Sequence, residues 1–284
     1  MKEKLIALDM DGTLLTSDKK IPEANKEAIK KAQSAGHQVM ICSGRPHGSL
    51  ITYLEEEGLG DLPISASNGS VTLVDEKIIH IASMDHVKAH QVVSWLNEKQ
   101  YPFNIYTDHG VFCPPTILDR AKLALQTVPP IHMNIEMLEI YLANNDVSFF
   151  ESWDDLPKEL EIFKIYVFTP HPDQKIAFEN YAHCLQGLTV TSSFQDNVEI
   201  SDREGHKGTG LKAIADHYNI PMNDTVAIGD NFNDEGMLKV AGLAIAMGNA
   251  EESIKKMCHA VTLTNDELGV AHAIETYVLG NTII

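Results

Sequence analysis

The first patterned stretch of the chain is Leu5-Ile6-Ala7-Leu8, an unbroken apolar run that ends on Asp9. An apolar run of this length without polar alternation reads as a short strand buried on both faces. A helical pattern follows over residues 21–35. Ile21, Ala24, Ala28, Ile29, Ala32 and Ala35 lie near one stripe, Pro22 suits the first turn, and Gly36 is a natural stop. Residues 38–42 form a second buried strand that runs into Ser43-Gly44-Arg45-Pro46. A helix over 47–57 ends at Gly58, and residues 63–66 make a third strand ending in Ser67-Asn68-Gly69-Ser70. Strand, helix, strand, helix, strand predicts a parallel sheet with right-handed crossovers. Ligands of such sheets lie beyond the carboxyl ends of the strands, where Asp9, Ser43 and Asn68 all fall.

The pattern then changes. Residues 71–74 and 78–81 flank Asp75-Glu76-Lys77 as a hairpin. Beyond it the chain predicts helix 86–99, strands 103–107 and 110–113, helix 116–127, strand 161–169, helix 173–184 and strand 188–193. Pro114-Pro115 and Pro129-Pro130 punctuate this part, and residues 130–160 give no assignable pattern. Mixed hairpins and helices point to an α+β module over 83–189, inserted into an α/β domain made of 1–82 and 190–284. In the second half of that domain Val198-Glu199-Ile200 reads as a short strand. Helix 207–218 carries Leu211, Ile214, Ala215 and Tyr218 at helical spacing. Strand 225–228 ends in Gly229-Asp230-Asn231-Phe232-Asn233-Asp234, and helix 234–241, strand 242–246, helix 250–257, strand 260–263 and helix 267–279 follow.

Composition narrows the function classes. The 284 residues carry a formal net charge of −18, which argues against nucleic-acid or anionic-membrane partners, because phosphate surfaces demand basic patches. A small anionic substrate remains open, since a local cation or a metal can hold it. No apolar run approaches the ~18 residues of a membrane span, and the start of the chain has no signal-peptide core. Cys42, Cys113, Cys184 and Cys258 are too sparse for a disulfide scaffold and lack metal-finger spacing. Reduced thiols in a cytoplasmic protein are the expectation.

Candidate chemistry starts at Asp9-Met10-Asp11-Gly12-Thr13. Residues two apart on an extended chain point the same way, so Asp9 and Asp11 can face one spot. Two anions there repel unless a proton or cation lies between them, and Mg²⁺ prefers such hard oxygens. Asp and Gly are equally at home in a plain polar turn. Ser43-Gly44, Lys207 and the Asp230–Asp234 stretch also stand at strand ends or helix starts. A lysine in the first helical turn opposes the helix dipole, and a local anion would explain it.

In this order, Asp9/Asp11, Ser43-Gly44, Lys207 and Asp230 through Asp234 resemble the four motifs of the haloacid dehalogenase superfamily of phosphotransferases. The likeness covers essentially the whole chain. It is greatest to the Cof-type phosphatases, which carry a large C2-type cap, and Ser67-Asn68-Gly69, Glu199-Ile200, Asn233 through Leu238 and Ala246 through Ala250 also look like that group. The resemblance implies a Rossmann-like parallel-sheet core with an inserted α+β cap that sets specificity. It implies a Mg²⁺-dependent phosphatase acting on small phosphorylated metabolites, such as sugar phosphates or phosphorylated cofactors. Asp9 would be the nucleophile and a metal ligand. Asp11 would be the general acid and base and give its backbone carbonyl to the metal. Asp230 would be a second metal carboxylate, with Asn231 as a further metal contact, a position where many relatives have a small residue. The Met10 and Gly44 amides, Ser43, Lys207 and Asn233 would bind the phosphoryl group, and Asp234 would orient Lys207. Asn68 has two readings, near the substrate or cap hinge, or as a left-handed turn residue before Gly69. Arg45 pairs either with substrate or merely with a surface acid. His109, Phe112, Trp153 and Tyr166 are aromatic candidates for substrate contact, with core packing the commoner role. A phosphomutase and a phosphoaspartate receiver or metabolite sensor without turnover are the alternatives. The sequence specifies no oligomeric state.

Overall fold

The computed structural model describes residues 2–126, 128, 134–144 and 146–280. The chain divides into two compact units, one of residues 1–80 and 206–284, the other of residues 81–205.

The first unit begins with β1 (Leu5–Asp9), buried at every position. Helix α1 (Glu23–Ser34) starts after Pro22 and buries Ala28, Ile29 and Ala32 of the stripe read from the sequence, together with Asn25, while Ala24 is half-buried and Ala35 exposed. Strand β2 (Gln38–Cys42), helix α2 (His47–Glu56), strand β3 (Ile64–Ala66) and the strands β4 (Val71–Val74) and β5 (Lys77–Ile81) complete this half.

The second unit runs through α3 (His86–Glu98), β6 (Phe103–Thr107), β7 (Gly110–Cys113), α4 (Ile117–Leu125), α5 (Ile135–Asn144), β8 (Val147–Phe149), β9 (Ile162–Phe168), α6 (Pro172–His183), β10 (Leu188–Thr191) and β11 (Asn197–Asp202). Its six strands pair in the order β10-β11-β9-β6-β7-β8. Among the described residues every pairing in this sheet is antiparallel except that of β7 with β8. Phe103, Ile105, Ile165, Val167, Val198 and Ile200 pack with residues of α3 and α6. Tyr106, Tyr166 and Phe168, which alternate with them, pack with residues of α4 and α5. Tyr166 is therefore a buried core residue. Trp153 and Phe112 are partly buried against the first of these clusters.

Two expectations change here. The strand at Val198-Glu199-Ile200 pairs with β9 and β10, so it belongs to the second unit, and the first unit resumes at residue 206 rather than 190. Within the unassigned stretch 130–160, α5 and β8 are formed. The Pro129-Pro130 break lies outside the described residues.

The first unit resumes with α7 (Lys207–His217), β12 (Thr225–Gly229), α8 (Glu235–Val240), β13 (Leu243–Ala246), α9 (Glu252–Met257), β14 (Ala260–Val261) and α10 (Gly269–Ala273), which continues into a π turn at Ile274–Val278. The strand order is β14-β13-β12-β1-β2-β3-β4-β5. All pairs from β14 to β3 are parallel, and β3 meets β4 antiparallel. Leu5, Ile6, Ala7 and Leu8 are fully buried, and each large apolar side chain so buried contributes about 1.5–3 kcal/mol. From β1 the chain progresses outward to β2 and β3 on one side, and from β12 to β13 and β14 on the other. The order reverses between β1 and β12, and the crevice at such a reversal is where open α/β sheets bind ligands.

Candidate active site

Asp9 is the last residue of β1, and Asp230 directly follows Gly229, the last residue of the neighbouring β12. Strand pairing alone thus brings two carboxylates 221 positions apart to the same sheet edge. Asp9, Asp230 and Asp234 each offer an oxygen within 4.8 Å of the others. Thr13 Oγ1 donates to Asp230 Oδ1 at 3.0 Å. Burial, then the negative charge of Asp234, pushes the Asp9 carboxyl up to about 6 against the pull of Lys207. Burial and the charges of Asp9 and Asp234 push Asp230 up to about 9.

Lys207 opens α7 and is wholly buried. Its Nζ donates to Asp9 Oδ1 at 2.5 Å and to Asp234 Oδ1 at 2.6 Å. Burial works against its charge, but the two carboxylates outweigh that and hold its pKa above the ordinary value. They also supply the local anion that a lysine in a first helical turn requires. The other oxygen of Asp234 accepts the backbone N–H groups of Asp230 and Asn231 at 2.9 and 3.0 Å. Asp234 is therefore committed on both oxygens, to the lysine and to the turn.

Asp9 is different. One oxygen holds Lys207, while Oδ2 is buried and has no hydrogen-bond partner among the described residues. Gly12, at φ +84°, brings bare backbone against Asp230, where a Cβ would press into the carboxylate. An unpartnered carboxylate oxygen, a second carboxylate carrying too much charge for its burial, and all-oxygen donors fit a hard divalent cation.

The Asp11 carboxylate is turned onto two cations. Arg45 Nε donates to its Oδ2 at 3.1 Å and Arg45 Nη2 to its Oδ1 at 3.0 Å. Lys19 Nζ reaches the same Oδ1 at 2.9 Å. Burial would raise the Asp11 carboxyl, but Arg45 and then Lys19 override it and hold it down at about 2. Of the two readings of Arg45, the structure shows the pairing with an acid.

Ser43 follows β2 and is buried, and its Oγ accepts the Arg45 N–H at 3.2 Å. Asn233 Nδ2 donates to Asn68 Oδ1 at 3.4 Å. Asn68 is buried at φ +59°, so of its two readings the structure shows the left-handed turn before Gly69. Asn231 Oδ1 accepts the Phe232 N–H at 2.8 Å and the side chain caps the short turn at Phe232–Asp234. Met10 and Gly44 lie in sequence beside Asp9 and Ser43, with the Met10 side chain fully buried. Three residues that sequence reasoning left without a role enter the geometry. Thr13 was visible within Asp-x-Asp-Gly-Thr. Asn249, whose Nδ2 donates to the Gly12 carbonyl at 2.8 Å, was visible within Ala246 through Ala250. Lys19 carried no local signal.

A model of the haloacid dehalogenase-like hydrolases matches residues 6–274. The chain belongs to this family. Phosphatase YwpJ of Bacillus subtilis (strain 168) is 32% identical over 96% of this chain and 99% of its own length. The 5-amino-6-(5-phospho-D-ribitylamino)uracil phosphatase YwtE of the same organism is 33% identical over 98% of this chain and 99% of its own. A solved haloacid dehalogenase-like hydrolase from B. subtilis superposes with a TM-score of 0.84 at 32% identity, covering 97% of this chain and 100% of that one. As a family member the chain is an enzyme of the phosphoric monoester hydrolase class, with the parallel-sheet core and inserted α+β unit of its relatives. Among the described residues no helix is long and apolar enough to cross a membrane.

Proposed function

We propose that this family member is a Mg²⁺-dependent phosphatase of small phosphorylated metabolites that works through an aspartyl-phosphate on Asp9. The observation that carries this is the Asp9 carboxylate itself, with one oxygen on the buried Lys207 and the other without a partner inside an acid cluster. A relative named for a phosphorylated ribitylaminouracil, alike over both units, supports a small organic phosphate as substrate. We assign the choice of that substrate to the unit of residues 81–205. A net charge of −18 leaves nucleic acid and anionic membranes out of the partner set, and the cytoplasm is the proposed location.

Asp9 attacks phosphorus, the phosphorus–oxygen bond to the alcohol breaks, and Asp11 gives a proton to the departing oxygen. A water then attacks the aspartyl-phosphate and loses its proton to Asp11, releasing inorganic phosphate and restoring both carboxyl groups. Splitting one hard displacement into two lowers each barrier. The Met10 and Gly44 amides, Ser43, Asn233 and the Lys207 ammonium are assigned to the phosphoryl oxygens, where fixed donors stabilise developing charge without reorganising. Asp234 keeps Lys207 aimed at Asp9. Asp11 rests as a carboxylate in its cation pair; a phosphate dianion arriving beside it raises its proton affinity, so that it takes up from water the proton it then gives to the departing oxygen. Asp9, Asp230 and the Asp11 carbonyl would hold Mg²⁺, with Asn231 as an outer contact. The bound ion supplies positive charge that offsets repulsion between carboxylate and phosphate dianion.

The test is a screen of phosphorylated metabolites with Mg²⁺, read as kcat/KM from free phosphate, with Asp9→Asn as control. Asp9→Asn is expected to lower turnover by roughly 10³-fold or more, the scale of losing a covalent nucleophile. Wild-type rates in that variant would remove the assignment. Isomerised sugar phosphate in place of free phosphate would replace the phosphatase by a mutase.

A further inference from the structure

Two segments of the first unit, carrying Arg45 and Lys19, converge on Asp11 rather than on Asp9, and a third, α2, supports both. Arg45, from the loop after β2, grips both carboxylate oxygens with a two-pronged fork. Its guanidinium lies over the Tyr53 ring of α2, 5.4 Å from the centroid, which gives the fork a fixed floor. Lys19 closes the other side. The Lys19 backbone is held at φ +64°, and its carbonyl accepts the Tyr53 hydroxyl at 3.4 Å. Stability does not explain this convergence, because the Asp11 and Arg45 side chains are 27% and 30% exposed, and ion pairs that wet contribute little to folding. What the fork does fix is direction. A lone aspartate in a turn samples several rotamers, whereas two parallel bonds to a planar guanidinium set the plane and position of its carboxylate. Proton transfer demands that kind of placement within hydrogen-bond reach of the reacting oxygen.

We propose that Arg45 is a positioning residue for Asp11, acting on the reaction only through the orientation of that carboxylate, with Tyr53 and Lys19 as its supports. This rests on the acid–base role of Asp11 proposed above. Among the described residues the Arg45 side chain makes no hydrogen bond or ion pair to Asp9, Asp230 or Asp234, and the charge of Asp9 acts on it only after those of Asp11 and Tyr53, so its main effect on the chemistry passes through Asp11.

The experiment is a double-mutant cycle of Arg45→Ala and Asp11→Asn on an alkyl phosphate substrate with Mg²⁺, with kcat and KM read separately and melting curves taken for every variant. Arg45→Ala is expected to lower kcat by about 10- to 100-fold, a part of the general acid–base contribution, with KM held within about threefold. In the Asp11→Asn background the same change is expected to move kcat by less than about twofold, because a residue that works through another has nothing left to act on. Arg45→Lys, which keeps the charge and loses the fork, should fall between wild type and Arg45→Ala. If Arg45→Ala fails to fold, the cycle is run with Arg45→Lys and read by the same criterion. A raised KM at unchanged kcat would make Arg45 a substrate ligand and overturn the proposal. So would an equal loss in both backgrounds, or a kcat that stays level or rises. Full activity in Asp11→Asn alone would instead remove the acid–base reading of Asp11, a result distinct from any outcome at Arg45.

Discussion

Within the site, each carboxylate is distinguished by what its oxygens touch. Asp9 shares one oxygen with Lys207 and leaves the other without a partner, Asp11 spends both on Arg45 and Lys19, and Asp234 spends both on Lys207 and two backbone amides. Asp234 is therefore the residue whose loss should be felt in stability as well as rate. Asp234→Ala leaves Lys207 buried with a single partner and two N–H groups of the turn unsatisfied. Breaking a buried ion pair from one side costs about 3–5 kcal/mol, and at about 2–4 °C per kcal/mol the melting temperature should fall by roughly 6–20 °C. Turnover should fall with it, since nothing else in the described contacts aims the ammonium at Asp9. A variant that melts like wild type would show that the turn and the lysine are held by other means. At this scale the sequence was most informative where chemistry fixes residue type, as at Asp9, Lys207 and Asp230. It was silent where a role depends on a partner far along the chain. Nothing local to Arg45 tells that Asp11 lies at its fork, and nothing local to Lys19 marks it at all.

Elements carry these residues to their places by where they end. The turn after β1 must pass close to the Asp230 carboxylate, and Gly12 permits it through its φ of +84° and its missing Cβ. Gly36, at φ +85°, closes α1 with open space around it. The pair makes a controlled comparison. Gly36→Ala should show only the left-handed penalty of roughly 1–2 kcal/mol and keep full activity. Gly12→Ala carries the same penalty and also displaces Asp230, so its Mg²⁺ affinity, read by calorimetry, should fall sharply. Equal Mg²⁺ affinity in the two variants would mean that the Gly12 approach does not shape the cluster. The strands and helices of the first unit were legible because β1, β2 and β12 are apolar runs stopped by polar residues. The strand Asn197–Asp202 was legible as a strand and not as a member of its sheet. Its burial pattern is nearly continuous, and pairing with β9 and β10 is decided across the chain rather than within the segment. Helix α5 and strand β8 were missed in a stretch without a clear period, although Asn134 caps α5, its Oδ1 accepting the Met137 N–H at 2.8 Å.

For the molecule as a whole, the acid cluster ties stability to pH and to metal. In the metal-free protein Asp9, at about 6, and Asp230, at about 9, lie above the ordinary 3.8. The folded state keeps protons that the unfolded chain gives up, so unfolding releases protons and stability falls as pH rises between about 4 and about 9. Asp11, held at about 2, acts in the opposite sense, but its partly exposed ion pair adds only a small stability, lost as pH drops below about 4. Melting curves in EDTA should therefore decline from pH 5 to pH 9, and added Mg²⁺ should restore stability by an amount that grows with pH, because the ion replaces protons at the same oxygens. Curves that are flat in EDTA and unmoved by Mg²⁺ would detach the cluster from both. The interrupted first unit has one more consequence, in time. Strand β1 lies between β2 and β12, and Lys207 is 198 residues downstream of Asp9. At roughly 5–20 residues per second a ribosome needs roughly 10–40 s to bridge that distance. All of residues 81–205 is synthesised in that interval. The inserted unit is thus complete and able to fold while the sheet that will carry the chemistry still has an open side, so the nascent protein has to guard the exposed edge of β1 until its last-made neighbour arrives.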